Sequence, residues 1–240
     1  MDMRMKSYFL MYLGVFSLIL LYACEAEKHS VGSEVAGYAT LGVSKYYLVE
    51  FENDFLKIVR VTYEPGEKSG MQRYDHFIGL HLTDIDNLIT MPDGSERSDK
   101  RDAHYVWESK AGETYAIKNM RDQSTESIFV QLKGDYEPSA SFVVNGFDSE
   151  GTQMMRTLLL EGAGFRVYKS VFPEGATEPE HSHNAKVSVF VNGGHVRVRN
   201  STGKEVEVKR VPGEAVYGDE VVHMAKNMGP TMEVVIFELM

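Results

Sequence analysis

The sequence predicts an all-β chain: two jelly-roll barrels of the double-stranded β-helix type behind a cleaved N-terminal leader. Three observations carry this. From about Lys45 onward the chain consists of short runs of β-forming residues, separated by Gly, Pro and Asp turns, with almost nothing at helical period. The runs also repeat. Val59-Arg60-Val61-Thr62-Tyr63, ending at Glu64-Pro65-Gly66, is answered 109 residues later by Tyr168-Lys169-Ser170-Val171-Phe172, ending at Pro173-Glu174-Gly175. A unit of that length is too long for a solenoid repeat and fits a small barrel domain. Finally, strands this short, broken this often by tight turns, suit a roll of antiparallel strands.

Taken in order, the chain begins with Arg4 and Lys6 followed by an uncharged apolar run over residues 7–23, the pattern of a secretory leader that takes no part in the fold. The run ends in Leu21-Tyr22-Ala23-Cys24, which resembles the bacterial lipoprotein signal. That resemblance implies cleavage before Cys24, lipidation of its thiol, and attachment to the bacterial cell envelope, with Glu25 favouring the outer membrane. Cys24 is the one cysteine in 240 residues, so no intrachain disulfide can form. Residues 24–43 lack apolar periodicity and read as a tether. A first barrel is expected over 44–134, a linker over 135–156 containing Ser141-Phe142-Val143-Val144-Asn145 as a further strand, and a second barrel over 157–240. A formal net charge of -10 repels a phosphate backbone, so nucleic acid is not an expected partner.

The repeat extends past its first strand. Pro92-Asp93-Gly94 falls on Ser201-Thr202-Gly203 at the same offset; Ala111-Gly112-Glu113 answers Pro212-Gly213-Glu214, and Phe129-Val130-Gln131-Leu132 answers Ile236-Phe237-Glu238-Leu239 after small changes of register. The two copies differ in chemistry. In the second, His181 and His183 stand two apart, and on a strand that spacing puts both rings on one face. His223 follows about forty residues later. Three imidazoles converging from two strands can hold a divalent transition metal, Fe, Mn, Zn, Ni or Cu, and leave coordination positions open.

Gly175, His181 and His183 match the first motif of the cupin family, Gly-x5-His-x-His, and Gly213, His223 and Asn227 match much of its second, with Asp219 and Val221 where Pro and Gly are usual. The chain from about Lys45 onward therefore resembles a bicupin. The resemblance implies metal-dependent chemistry on a small molecule, with three-histidine dioxygenases as one precedent; the alternative is a non-catalytic lipoprotein that binds a small ligand or a protein. The motif's Glu is missing, because Ser188 or Val187 stands in its place. A centre without that anion is more positive and suits an anionic or chelating substrate. Tyr217, Ser188 and Asn227 are candidates for the lining of the site. In the first copy His181 falls on Gln72 and His183 on Tyr74, while Asn119-Met120-Arg121-Asp122-Gln123 offers nothing for His223, so that barrel is expected to be metal-free. Trp107 reads as core, His195 as an exposed hairpin residue, and His76 and His81 as packing residues. Cupins often pair through an edge strand, which makes a homodimer a further expectation.

Overall fold

The computed structural model describes residues 39–40, 44–134, 136–137 and 153–240. Residues 1–38, with the leader and Cys24, lie outside the described residues, as does most of the expected linker, including residues 141–145. Among the described residues there are nineteen strands and no helix. The first ten are β1 (Ala39–Thr40), β2 (Tyr47–Glu52), β3 (Leu56–Tyr63), β4 (Gln72–Arg73), β5 (Phe77–His81), β6 (Ile85–Thr90), β7 (Glu96–Arg101), β8 (Val106–Ser109), β9 (Thr114–Asn119) and β10 (Thr125–Leu132). The remainder are β11 (Met155–Gly162), β12 (Phe165–Phe172), β13 (Thr177–His183), β14 (Lys186–Phe190), β15 (Gly194–Asn200), β16 (Glu205–Arg210), β17 (Glu214–Gly218), β18 (Val221–Asn227) and β19 (Met232–Leu239).

They form four sheets in the orders β1-β4-β9-β6-β7, β2-β3-β10-β5-β8, β11-β12-β19-β14-β17 and β13-β18-β15-β16. The third sheet copies the second strand for strand, and the fourth copies the first apart from β1. The repeat read from the sequence is thus a repeat of topology. Its turns repeat as well, because the three paired glycines share one backbone conformation, at φ 73 and 70° for Gly66 and Gly175, 83 and 83° for Gly94 and Gly203, and 91 and 77° for Gly112 and Gly213. Only glycine takes these left-handed angles without strain.

Two strands differ from the expected boundaries. β1 lies inside residues 24–43 and adds to the edge of β4 in parallel, and β11 starts at Met155, inside 135–156. A two-residue strand has no periodicity to read. β11 is mostly exposed, so its apolar residues do not alternate with polar ones.

Each half encloses a core between its two sheets, around Tyr63, Tyr74, Phe77 and Phe129 in the first half and Tyr168, Phe172, Met232 and Ile236 in the second. A third cluster spans both halves. It joins Leu56, Ile58, Ile78, Leu80 and Val130 to Val167, Val187, Val235, Phe237 and Leu239, the outer faces of the second and third sheets. Those sheets are covered on both faces. This is why β19 reads Val234-Val235-Ile236-Phe237 without polar alternation.

Candidate metal centre

β13 and β18 lie side by side with His181 directly opposite His223, and His183 stands two residues further along the same face of β13. The three Nε2 atoms converge. His181 Nε2 lies 2.9 Å from His183 Nε2 and 3.0 Å from His223 Nε2. His181 and His183 are 2% and 3% exposed, and His223 is half-buried. Metal bonds of about 2.1 Å at right angles would put neighbouring donor atoms about 3.0 Å apart, as these two separations are, and the three ligand atoms lie within 4.8 Å of one another.

The outer nitrogen of His181 fixes its tautomer. His181 Nδ1–H donates to the Pro179 carbonyl at 2.8 Å, and His183 Nδ1 lies 3.1 Å from the carboxylate of the fully buried Glu238. A carbonyl can only accept, so the proton of neutral His181 is on Nδ1 and its Nε2 is bare. His183 Nδ1 faces the Glu238 carboxyl and, at 3.3 Å, the Tyr168 hydroxyl, and a carboxyl-histidine pair of this kind orients metal-binding rings. Burial keeps all three rings uncharged at neutral pH: it lowers His181 to about 4, His223 to about 2, and His183 well below its ordinary value. Lys186, on β14 near this cluster, is drawn down to about 7 by burial, with the Glu238 carboxylate opposing.

The ligand group consists of the three histidines, as expected from Ser188 and Val187, but a carboxylate lies beside it. Glu178 is buried with Oε1 3.2 Å from His181 Nε2, and Arg156 of β11 donates to the same oxygen. Simple alternation puts Glu178 on the opposite face from His181. A β-bulge between them, where the pairing slips from Glu178–Ala225 to His181–His223, turns Glu178 inward. Pro179 within the strand was the available signal, since proline inside a ladder marks a bulge or an edge.

The three lining candidates fall elsewhere or nearby. Tyr217 faces away from the barrel interior, stacking on Phe51 of the first half at 4.5 Å and donating to Asp219 at 2.7 Å. It pairs with Val187, whose side chain belongs to the core shared by the halves, and this pairing sets its direction. Asn227 is fully buried, and its amide donates to the carbonyls of Phe172, Pro173 and Pro230 at 2.8, 3.0 and 2.8 Å. Asn119 makes the same bonds to Tyr63, Glu64 and Gln123, so this asparagine ties a turn in both copies. Ser188 is half-buried on β14, on the face opposite Val187 and Val189.

In the first barrel Gln72 pairs with Tyr115 as His181 pairs with His223. Tyr115, rather than the segment from Asn119 to Gln123, therefore holds the third position. Tyr74, in place of His183, stacks on Tyr115 at 4.3 Å, and its hydroxyl meets that of Tyr47 at 3.2 Å. Phenol and amide groups replace every imidazole. His76 pairs with Glu108 at 2.8 Å and His195 with Glu207 at 3.4 Å, both away from the centre.

No protein-family model matches the chain, and no curated protein sequence is close enough to count as a relative. Solved structures do match. AerE from Microcystis aeruginosa superposes with a TM-score of 0.61 at 13% identity, over 83% of this chain and 95% of that one. A cupin 2 conserved barrel domain protein from Leptotrichia buccalis gives 0.51 at 12% identity, over 81% and 88%. A salicylate 1,2-dioxygenase from Pseudaminobacter salicylatoxidans gives 0.55 at 10% identity, over 77% and 71%. At such identities the likeness speaks for the fold alone, and with the repeated sheets it establishes that this chain carries the cupin-superfamily fold, in two barrels.

Proposed function

We propose that the second barrel holds one divalent transition ion, Fe, Mn, Zn, Ni or Cu, on His181, His183 and His223, and that the protein is a metal-dependent catalyst acting on a small molecule at the bacterial envelope. One observation carries the reading: the Nε2 atoms of His183 and His223 lie 2.9 and 3.0 Å from the bare Nε2 of His181. Imidazole nitrogen suits this group of metals. When bound, such an ion supplies Lewis-acid activation of an oxygen ligand or of water.

The chain's own groups prepare that position. Glu178, gripped by Arg156, offers a carboxylate beside His181, and Glu238 holds the His183 ring in place. Envelope anchoring through a lipid on Cys24 rests on the basic residues, the apolar run and the Leu-Tyr-Ala-Cys ending of the leader.

The test is metal content by plasma emission after reconstitution, for the wild type and for the His181→Ala/His183→Ala variant. About one equivalent in the wild type and almost none in the variant is expected; less than about a tenth of an equivalent in the wild type contradicts the reading. The burial of the centre favours a second reading, in which Glu178 closes a four-donor shell and the ion is structural in a binding module. Azide added to the cobalt-substituted protein separates the two: a shifted visible spectrum requires an open position, and an unchanged one means a closed shell.

A further inference from the structure

The first barrel lacks the histidines, yet its interior is not filled. A cavity of about 220 Å³ lies between its two sheets. Trp107 and Tyr115 form aromatic walls, and the His81 ring stacks on Trp107 at 4.1 Å. Gly79, opposite Trp107 in the β5–β8 ladder, makes room for the indole: a Cβ there would fall 2.3 Å from it. Asn87 lines the cavity at 7% exposure, and its buried Oδ1 has no hydrogen-bond partner.

The charges of the lining are distributed unevenly. Asp99 faces Arg101 at 3.2 Å, Glu113 accepts from Ser109 Oγ at 2.6 Å, and Glu108 pairs with His76 at 2.8 Å. Arg97, exposed on β7, has no acidic partner among the described residues and is the one cation of the lining left free. The cavity is smaller than the roughly 300–1,000 Å³ usual for drug-sized ligands, which limits the occupant to about one ring.

We propose that this cavity is a metal-independent binding site for a monocyclic aromatic carboxylate, its ring against Trp107 and Tyr115 and its carboxylate on Arg97. The site is separate from the metal centre and does not rest on the function proposed for it. Trp107 is the single tryptophan of the chain, so its fluorescence reports occupancy of this barrel directly.

The experiment titrates the full chain with 4-hydroxybenzoate, with benzylamine and phenol as controls. Saturable quenching by 4-hydroxybenzoate is expected, with the same midpoint after the metal is stripped by chelator. Arg97→Gln, an exposed change that leaves the core intact, should raise the midpoint at least about fivefold through loss of a charge-assisted contact. Four results would overturn the proposal: no saturable quenching up to about 10 mM, equal binding of benzylamine or phenol, an unchanged midpoint in Arg97→Gln, or loss of quenching when metal is removed.

Discussion

At the proposed metal centre, His181 directs its Nδ1 proton to the Pro179 carbonyl, His183 Nδ1 faces Glu238, and Glu178 brings a further acceptor to 3.2 Å from His181 Nε2. Acceptors gathered this closely in a buried place repel one another until a cation joins them. Glu178→Gln removes the anion while keeping its shape, and is expected to weaken metal binding by about 10–100-fold in chelator competition. Glu180→Gln, an exposed change within the bulge, should leave affinity within about twofold of wild type; equal effects from both variants would reduce Glu178 to a bystander. The histidines were legible because alternation alone brings residues two apart to one face. Between Glu178 and Glu180 as neighbouring carboxylates the sequence does not choose, because a single bulge reverses that rule for everything on its far side. Tyr217 misled for a related reason: β17 is half-buried on both faces, so nothing in its sequence says which face meets the barrel interior.

Among the elements, β5 and β8 show how one small residue shapes a site. Gly79→Ala places a methyl against Trp107 and is expected to cost about 1–3 kcal/mol of stability, with a changed tryptophan emission spectrum. Chemical denaturation with fluorescence detection measures both, and an unchanged midpoint and spectrum would mean that Trp107 does not lie across β5. Trp107 read as core from the sequence because an aromatic residue on a strand gives no hint of a cavity beside it. His81, at the end of β5, is surrounded by Ser127 Oγ at 2.8 Å, the Trp107 and Tyr105 rings, and Arg101. Burial, aided by the Arg101 charge, lowers it from 6.5 to about 4. The unfolded chain therefore takes up this proton first as pH falls. His81 contributes a loss of stability between pH 6.5 and about 4, with a slope of up to about 1.4 kcal/mol per pH unit. Relative to metal-loaded wild type, a metal-loaded His81→Asn variant should show a shallower decline over that window. Parallel profiles would mean that His81 is hydrated.

For the molecule as a whole, duplication explains the large apolar content of the second and third sheets. Each sheet packs one face into its own barrel and the other against its copy, and Arg60 reaches across to the Gly213 carbonyl at 2.8 Å. The paired glycines made the duplication readable, since each marks a turn that both copies must make. The shared core was not separable from barrel interior in the sequence, because a strand covered on both faces shows only a run of apolar residues. The outer strands β7 and β16 carry Glu96, Arg97, Asp99, Lys100 and Arg101, and Glu205, Glu207, Lys209 and Arg210, the kind of charge that discourages edge-to-edge pairing. At the N-terminus, the lipid-anchor proposal is tested by Cys24→Ala, which is expected to abolish incorporation of labelled palmitate in a bacterial host; label retained in the variant would contradict it.

The most direct measurement is an anomalous-scattering map from crystals grown with a transition metal. One peak within about 2.0–2.2 Å of Nε2 of His181, His183 and His223 is the expected result. A peak elsewhere, or imidazoles turned away from a common point, would contradict the metal centre and with it the proposed chemistry.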